Sequence, residues 1–358
     1  MKVCILGGGL TSLVLAKSLV NQGINIDFFS KNRFKDFDKT RTLGISKTNV
    51  DFFNKKILNI NSLLWNIDKI EIYSENLKNE KILNFNNKNS KLFSIVKNFE
   101  LNSYLIKELN KSKFVSFKKN INIKNSFKKE EYKLIINCNF DNHISKKYFY
   151  KKLNKNYNSC AYTTIINHKK LSSNRTASQI FTKDGPLAFL PISNTETSIV
   201  FSIRKKNDVN LKNLIEKYNF KYEILKINKI SKFKLKSSNL RSYYHKNILA
   251  FGDLLHKVHP LAGQGFNMSI RDIDLLLKLI EKKIKNGLDL DSSICSDFEK
   301  KIRHKNFLFS NGIDLIYEFF NIEGKFNNNI LSKSIQFIGK NKIINKFFVE
   351  AADKGTIF

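Results

Sequence analysis

Apolar and polar positions along this chain change period at sharply punctuated points. Residues 2–6, KVCIL, form a short apolar run that ends at Gly7-Gly8-Gly9. Such a run predicts a strand covered on both faces. Leu10, Leu13, Val14 and Leu19 then recur at helical spacing, and Gly23 ends the predicted 10–21 helix. INIDFF (24–29) predicts a second strand. A similar unit lies far downstream. Ile248 to Phe251 predicts a strand, a loop follows, and Phe266, Ile270, Ile273, Leu277, Ile280 and Ile284 step by fours and threes as on one helix face. Between the two units, LWNIDKIEIYSENL (64–77) and SIVFSIRKK (198–206) alternate in the manner of half-covered strands.

Strand, glycine turn, helix and strand is the setting in which glycines cradle a dinucleotide. Gly7 permits the sharp turn, and Gly9 lets the backbone approach a pyrophosphate. The helix opening at Leu10 offers unpaired N–H groups and the positive end of its dipole. Two positions depart from the pattern. Ser12 stands for the third glycine, and Ser30 ends the second strand where an acid would hold ribose hydroxyls. A serine holds a hydroxyl more weakly than a carboxylate does. The competing reading is a glycine-rich turn in an ordinary α/β protein.

The loop GDLLHKVHPLAGQGFN (252–267) delivers a second helix N-terminus. Two such termini suit an extended cofactor, with phosphates at one and a ring at the other. His256 and His259 in that loop admit a metal, a catalytic dyad or plain loop-orienting hydrogen bonds. A metal needs at least a third ligand, and His143, His168, His245 and His304 lie in no ligand pattern, so no metal site is expected. Of the other two readings, orientation of the loop is preferred over a proton-relaying dyad.

Charge changes the picture more than bulk composition. Lys and Arg number 63 against 31 Asp and Glu, a formal net charge of +32. No Arg-rich patch, RNA-binding aromatic signature or zinc-finger spacing accompanies it, so nucleic acid is not an expected partner. Drift toward Lys, Asn, Ile and Phe explains most of the excess, and attraction to an anionic membrane surface is the second reading. With 42% hydrophobic and 26% charged residues over 358 positions, the chain is globular and long enough for two intertwined domains. Cys4, Cys138, Cys160 and Cys295 are scattered, which favours a reduced, cytoplasmic setting. Cys4 and Cys138, in apolar strands, read as small buried hydrophobes. No apolar run reaches the about 18 residues of a membrane span. The three glycines also argue against a signal peptide at the start. Lysines at 145–155 and 281–285 read as solvated surface.

Gly252-Asp253, the run His256-x-x-His259-Pro260-Leu261-Ala262-Gly263-Gln264-Gly265-Phe266-Asn267, and Arg271-Asp272 together resemble a flavin-binding signature. It is that of the UbiH-type FAD-dependent monooxygenases, the ubiquinone-biosynthesis hydroxylases within the aromatic hydroxylase flavoproteins. TRTLGIS (40–46), SIVKNFELNSYLIKEL (94–109), QIFTKDGPLAFLPIS (179–193) with SIVFSI (198–203), and FEKKIRHKNFLFSNGIDLIYEFF (298–320) follow in the family's order.

The resemblance implies an α/β fold: a Rossmann-like FAD-binding domain, an inserted β-sheet substrate domain and a C-terminal helical segment. Residues 1–68, 92–148 and 242–300 would form the first, 69–91 and 149–241 the second, and 301–358 the third. Cofactor contacts would fall at Gly7, Gly9, Leu10, Ser12, Ser30, Arg41, Gly252, Asp253, Pro260, Gly263, Gln264, Gly265, Phe266 and Asn267. Asp253 would bind the ribityl hydroxyls, and Gly263 and Gly265 would let the loop backbone lie against the isoalloxazine ring. The helix after them would stabilise negative charge on the reduced ring. Pro260 would shape the wall beside the reacting edge, and Arg41 would lie along the cofactor. No catalytic side chain is singled out.

The activity implied is hydroxylation of the aromatic ring of a polyprenylated phenol in ubiquinone biosynthesis, with NAD(P)H as reductant of FAD and O2 as oxygen donor. A prenyl tail would bring the protein to the inner face of the membrane as a peripheral protein, among partners of a quinone-synthesis complex. One stretch departs from the family. In LIINCNFDN (134–142), Asn137-Cys138-Asn139-Phe140 replaces a Gly-Ala-Asp-Gly-like turn. Two alternatives follow: a non-catalytic or weakly FAD-binding member of such a complex, and a same-fold flavoenzyme with another substrate.

Overall fold

The structure, a computed structural model, describes residues 2–30, 37–77, 80–86, 91–118, 132–203, 210–258 and 263–326, with 333, 336, 350 and 353–355. Lys2–Leu6 lies near the middle of a six-stranded sheet. Its order is Tyr244–His245, Ile248–Ala250, Leu134–Asn137, Lys2–Leu6, Asn25–Phe29 and Val115–Lys118. Every pairing in it is parallel except the outermost, Tyr244–His245 with Ile248–Ala250. Parallel strands must be covered on both faces. Accordingly Val3, Ile5, Leu134 and Ile136 are fully buried, with Ile5 level with Phe28 on one side and Ile136 on the other.

The Leu10–Val20 helix packs against both Asn98–Asn110 and Gln264–Lys285. Being covered on nearly all sides, it carries no polar stripe. Its buried Ser18 disposes of its hydroxyl by donating to the Val14 carbonyl at 2.7 Å. Ser292–Phe326 packs on Gln264–Lys285 as one continuous helix through residues 300 and 301.

A second sheet of nine strands is built on the long strand Lys152–His168. Ser231–Leu240 and Glu196–Ile203 flank it antiparallel, and Gly185–Pro191, Thr176–Thr182, Lys69–Ser74 and Glu80–Asn86 continue outward. A third, three-stranded sheet joins Thr42–Ser46, Phe93–Lys97 and Trp65–Ile67. The alternating stretch 64–77 is therefore two strands, split at Asp68, that serve different sheets. The strand expected at 198–206 runs from Glu196 to Ile203, and 204–206 lie outside the described residues.

The sheets meet along residues 40–42. Thr40 Oγ1 lies 2.9 Å from Thr163 Oγ1, and Thr42 Oγ1 donates to Ser198 Oγ at 2.8 Å. The stretch expected as plain loop after Ala250 holds a 3-10 turn, Gly252–Leu254, and a two-residue strand, His256–Lys257. That strand closes the edge of the nine-stranded sheet, pairing Asn239 with His256 and Ser238 with Lys257.

Candidate cofactor-binding site

Three turns leave the carboxyl ends of adjacent parallel strands: 7–9 after Lys2–Leu6, 138–142 after Leu134–Asn137, and 251–254 after Ile248–Ala250. Open α/β sheets bind ligands at that end of the strands. The turns are in contact. A Cβ placed on Gly7 would stand 3.0 Å from the Cys138 Cβ, and one on Gly252 would stand 3.0 Å from the Thr11 side chain. Gly252 also has a φ of 62°, left-handed backbone in which side chains are strained.

At the first turn, Gly9 is exposed and a Cβ there would meet nothing within 4 Å. The following helix has no side-chain cap and no acidic residue in its first turn, so its leading N–H groups at Leu10 and beyond remain available to an anion. Gly8 is the tight position: a Cβ would fall 2.4 Å from Ser30 Oγ, so the end of the second strand is set directly against the turn. Ser12 is fully buried and its Oγ donates back to the Gly9 carbonyl at 2.6 Å. The hydroxyl that replaces the third glycine is thus satisfied inside the turn.

The 137–145 turn is a closed amide network. Asn137 Nδ2 donates to Ser145 Oγ at 2.9 Å, Asn142 Nδ2 donates to Asn137 Oδ1 at 2.9 Å, and Asn142 Oδ1 caps the next helix through Ser145 N at 2.8 Å. Ser145 Oγ donates to the Asn139 carbonyl, and Asn139 Oδ1 accepts from Asp141 N at 2.9 Å. Phe140 points outward, 56% exposed. Burial and the nearby Asp253 carboxylate push the Cys138 thiol up, so it is an unreactive one. Cys4 is buried in its strand.

Asp253 itself is exposed at the head of the second loop. The loop's far end is rigid. Gly263, with φ 62°, is the N-cap of Gln264–Lys285, and a Cβ on it would lie 3.6 Å from Gly44 N. Asn267 then ties the helix to Thr42–Ser46, donating from Nδ2 to the Gly44 carbonyl at 2.9 Å and accepting from Ser46 N at 3.0 Å. Gln264 is buried with Oε1 unpartnered, while Gly265 and Phe266 are half-buried. This helix too has neither side-chain cap nor acid in its first turn. Arg41 is exposed, and its guanidinium lies over the Phe233 ring at 5.1 Å, reaching toward the nine-stranded sheet. Pro260 and His259 lie outside the described residues.

His256 is held in a buried chain of polar groups. Its Nε2 lies 2.6 Å from Asp272 Oδ2, and Asn306 Nδ2 donates to Asp272 Oδ1 at 3.2 Å. Burial, with Asp272 nearby, also raises the Tyr243 hydroxyl well above its ordinary pKa. Among the described residues no three His, Cys, Asp or Glu side chains gather as metal ligands. Sequence reasoning missed Asp272 and Asn306 as partners of this loop. Acidic Asp272 directly follows Arg271 on an otherwise apolar helix face, which was the available signal.

An exposed glycine over open space, two uncapped helix N-termini and an unpartnered buried oxygen at Gln264 give a site whose residues fit FAD: anion donors at one end and backbone walls at the other. Residues 204–297 match the FAD binding domain family. The 3-demethoxyubiquinol 3-hydroxylase of Escherichia coli is 30% identical over 150 residues, 39% of this chain and 38% of that protein. Human ubiquinone biosynthesis monooxygenase COQ6 is 26% identical over 205 residues, 45% of this chain and 44% of that protein. The chain thus spans less than half the length of these curated relatives. Among solved structures, p-nitrophenol 4-monooxygenase PnpA from Pseudomonas putida DLL-E4 superposes with a TM-score of 0.77 at 10% identity, covering 98% of this chain and 97% of that one. Klebsiella pneumoniae HpxO, complexed with FAD and uric acid, gives 0.74 at 11% identity, covering 98% and 96%. The chain therefore carries an FAD-binding domain match and shares its fold with these monooxygenases, and the ubiquinone-biosynthesis hydroxylases are its relatives over part of its length.

Proposed function

We propose that this protein is an FAD-dependent monooxygenase that hydroxylates the ring of a polyprenylated phenol on the way to ubiquinone, with NAD(P)H and O2 as co-substrates. The observation that carries the reading is the 252–267 segment. It begins at the end of a cofactor-sheet strand, is stitched through His256–Lys257 to the nine-stranded sheet, and ends in an uncapped helix N-terminus. A ring bound against Gly263 and Gly265 would sit where the two sheets adjoin.

Bound FAD would supply the redox chemistry. The chain's own groups would hold it: N–H groups after Gly9 for the phosphates, Asp253 for the ribityl hydroxyls, and the Gln264 helix terminus for charge on the ring. Residues 1–68, 92–148 and 242–300 would act as the cofactor domain. Residues 69–91 and 149–241 would close over the aromatic substrate and keep water out. Residues 301–358 would serve as the helical segment behind them.

The prenyl tail calls for a membrane surface. No helix among the described residues is long and apolar enough to cross a membrane. Ser292–Phe326 exposes Phe307, Leu308 and Leu315 beside exposed Lys301 and Lys305, a mixture suited to peripheral docking on anionic lipid. A second reading, a non-catalytic or weakly FAD-binding component of a quinone-synthesis complex, draws on the closed 137–145 network, whose amides are engaged with one another.

Reconstitution with FAD followed by NAD(P)H oxidation tests both. The expected result is a yellow protein whose oxidation rate rises on adding a prenylphenol, with one oxygen atom appearing in the product by mass spectrometry. FAD without product, or failure to take up FAD, would remove the hydroxylase reading and leave the second. The precursor accumulating in cells that lack the protein would name the ring carbon.

A further inference from the structure

Arg271 stands one helical turn beyond Asn267 on Gln264–Lys285. Its Nη1 and Nη2 are sealed from solvent, and neither has a hydrogen-bond partner. One face of the guanidinium lies on the Phe309 ring, with Cζ 4.8 Å from the centroid. Gly355 closes the site. A Cβ there would stand 2.0 Å from Arg271 Cζ and 2.3 and 2.4 Å from the two Nη atoms, so only glycine can lie so near.

Two acids are close by, and both are committed elsewhere. Asp272 holds His256 and Asn306. Asp353 accepts from Thr48 N at 2.9 Å and from Thr48 Oγ1 at 2.6 Å, while its carbonyl accepts from Ser46 Oγ at 2.9 Å. Burial lowers the Arg271 pKa to about 10 even though Asp272 and Asp353 oppose that shift. A buried guanidinium is ordinarily found with its fork filled by oxygens. Here a rigid planar donor set has no acceptor, and among the described contacts its lid, a three-residue segment, reaches Ser46 and Thr48 through Asp353, with Lys354 paired locally to Glu350 at 3.6 Å.

We propose that Arg271 is an oxyanion-binding residue, taking a carboxylate or phosphate group, and that the chain's own Asp353–Gly355 segment is the displaceable cover of that site. The planar fork suits two-point binding of either group. With the cover closed, apparent affinity is reduced by the fraction of molecules in which it is open. The inference concerns a site apart from the flavin loop and stands whether or not the hydroxylase reading holds.

Titration of the full chain with inorganic phosphate and, separately, acetate, followed by calorimetry, tests it. Asp353→Asn weakens the anchor, and Gly355→Ala drives a methyl group into the guanidinium. Each should tighten binding by about tenfold, as expected if the open fraction rises about tenfold. Arg271→Met should abolish the gain in both backgrounds, which separates this site from diffuse attraction to a cationic surface. A preference for phosphate would assign a phosphate ester, and a preference for acetate a carboxylate. Equal affinity in the wild type, Asp353→Asn and Gly355→Ala, or binding that survives Arg271→Met, would overturn the proposal. Thermal melting adds a second readout: Arg271→Met should match or exceed the wild type, because it removes a buried unpaired charge. A marked fall would point to a purely structural arginine.

Discussion

Removing the Asp272 carboxylate would leave His256 buried with neither ring nitrogen partnered. The pair is sealed, with side-chain exposures of 1% and 0%, and the contact is short at 2.6 Å. Nδ1 of His256 already lacks a partner, so Nε2 carries the whole of the ring's polar satisfaction. Leaving a buried hydrogen-bonding group unsatisfied costs about 1–3 kcal/mol, and more where the group is charged. Against a total stability of about 5–15 kcal/mol, that is a large share. Asp272→Ala also strands Asn306 Nδ2, and His256→Ala strands a buried carboxylate, so both single changes should be costly. Urea unfolding of the FAD-free protein measures both, and the double variant His256→Ala with Asp272→Ala completes a cycle. The double variant should cost less than the two single changes together, by about 1–3 kcal/mol of coupling. Single costs under about 1 kcal/mol, or costs that simply add, would refute the view that this pair holds the loop.

Three further changes probe the site and its frame. Gly263→Ala places a side chain at φ 62° and should cost about 1–2 kcal/mol, with weaker FAD retention read from visible absorbance after dialysis. Gly8→Ala pushes a methyl group to 2.4 Å from Ser30 Oγ and should destabilise the fold by about 1–3 kcal/mol in urea unfolding; adding Ser30→Gly should recover part of it. Glu71 concerns the nine-stranded sheet. Burial alone would raise its carboxyl, but hydrogen bonds from Lys69, Lys81 and Tyr73 bring it down to about 2. A depressed acid contributes stability above its unfolded pKa and loses it as pH falls through the folded one. Stability should therefore drop between about pH 4.5 and 2, and Glu71→Gln should flatten that part of a melting-temperature profile.

Local regularities made the strands and helices around both glycine turns readable, because a buried parallel strand and a packed helix each impose a period on neighbouring residues. Long-range side-chain pairing left no such trace. His256, Asp272 and Asn306 meet across separations of 16 and 34 residues, and nothing in the order of letters joins them. The Arg41 guanidinium lies on Phe233, a partner supplied by another sheet that its place in the sequence does not announce. Asn137 and Asn139 read as departures from a family turn, yet in space they join Asn142 in a network that satisfies their amides and caps a helix. A satisfied amide network and an eroded carboxylate site look alike in one dimension.

The two-residue strand His256–Lys257 has a thermodynamic consequence. It pins the middle of a segment that Gly252 and Asn267 already fix at its ends. The described residues held at these three points have given up most of their conformational freedom when the chain folds. Ordering entropy on association then falls mainly on the incoming molecule, and rigid seats of this kind gain affinity by cutting the cost of binding rather than by adding contacts. If the cofactor seats on this loop as proposed, its uptake should carry a small entropic penalty in calorimetry, and loosening the Asn239–His256 pairing should enlarge that penalty.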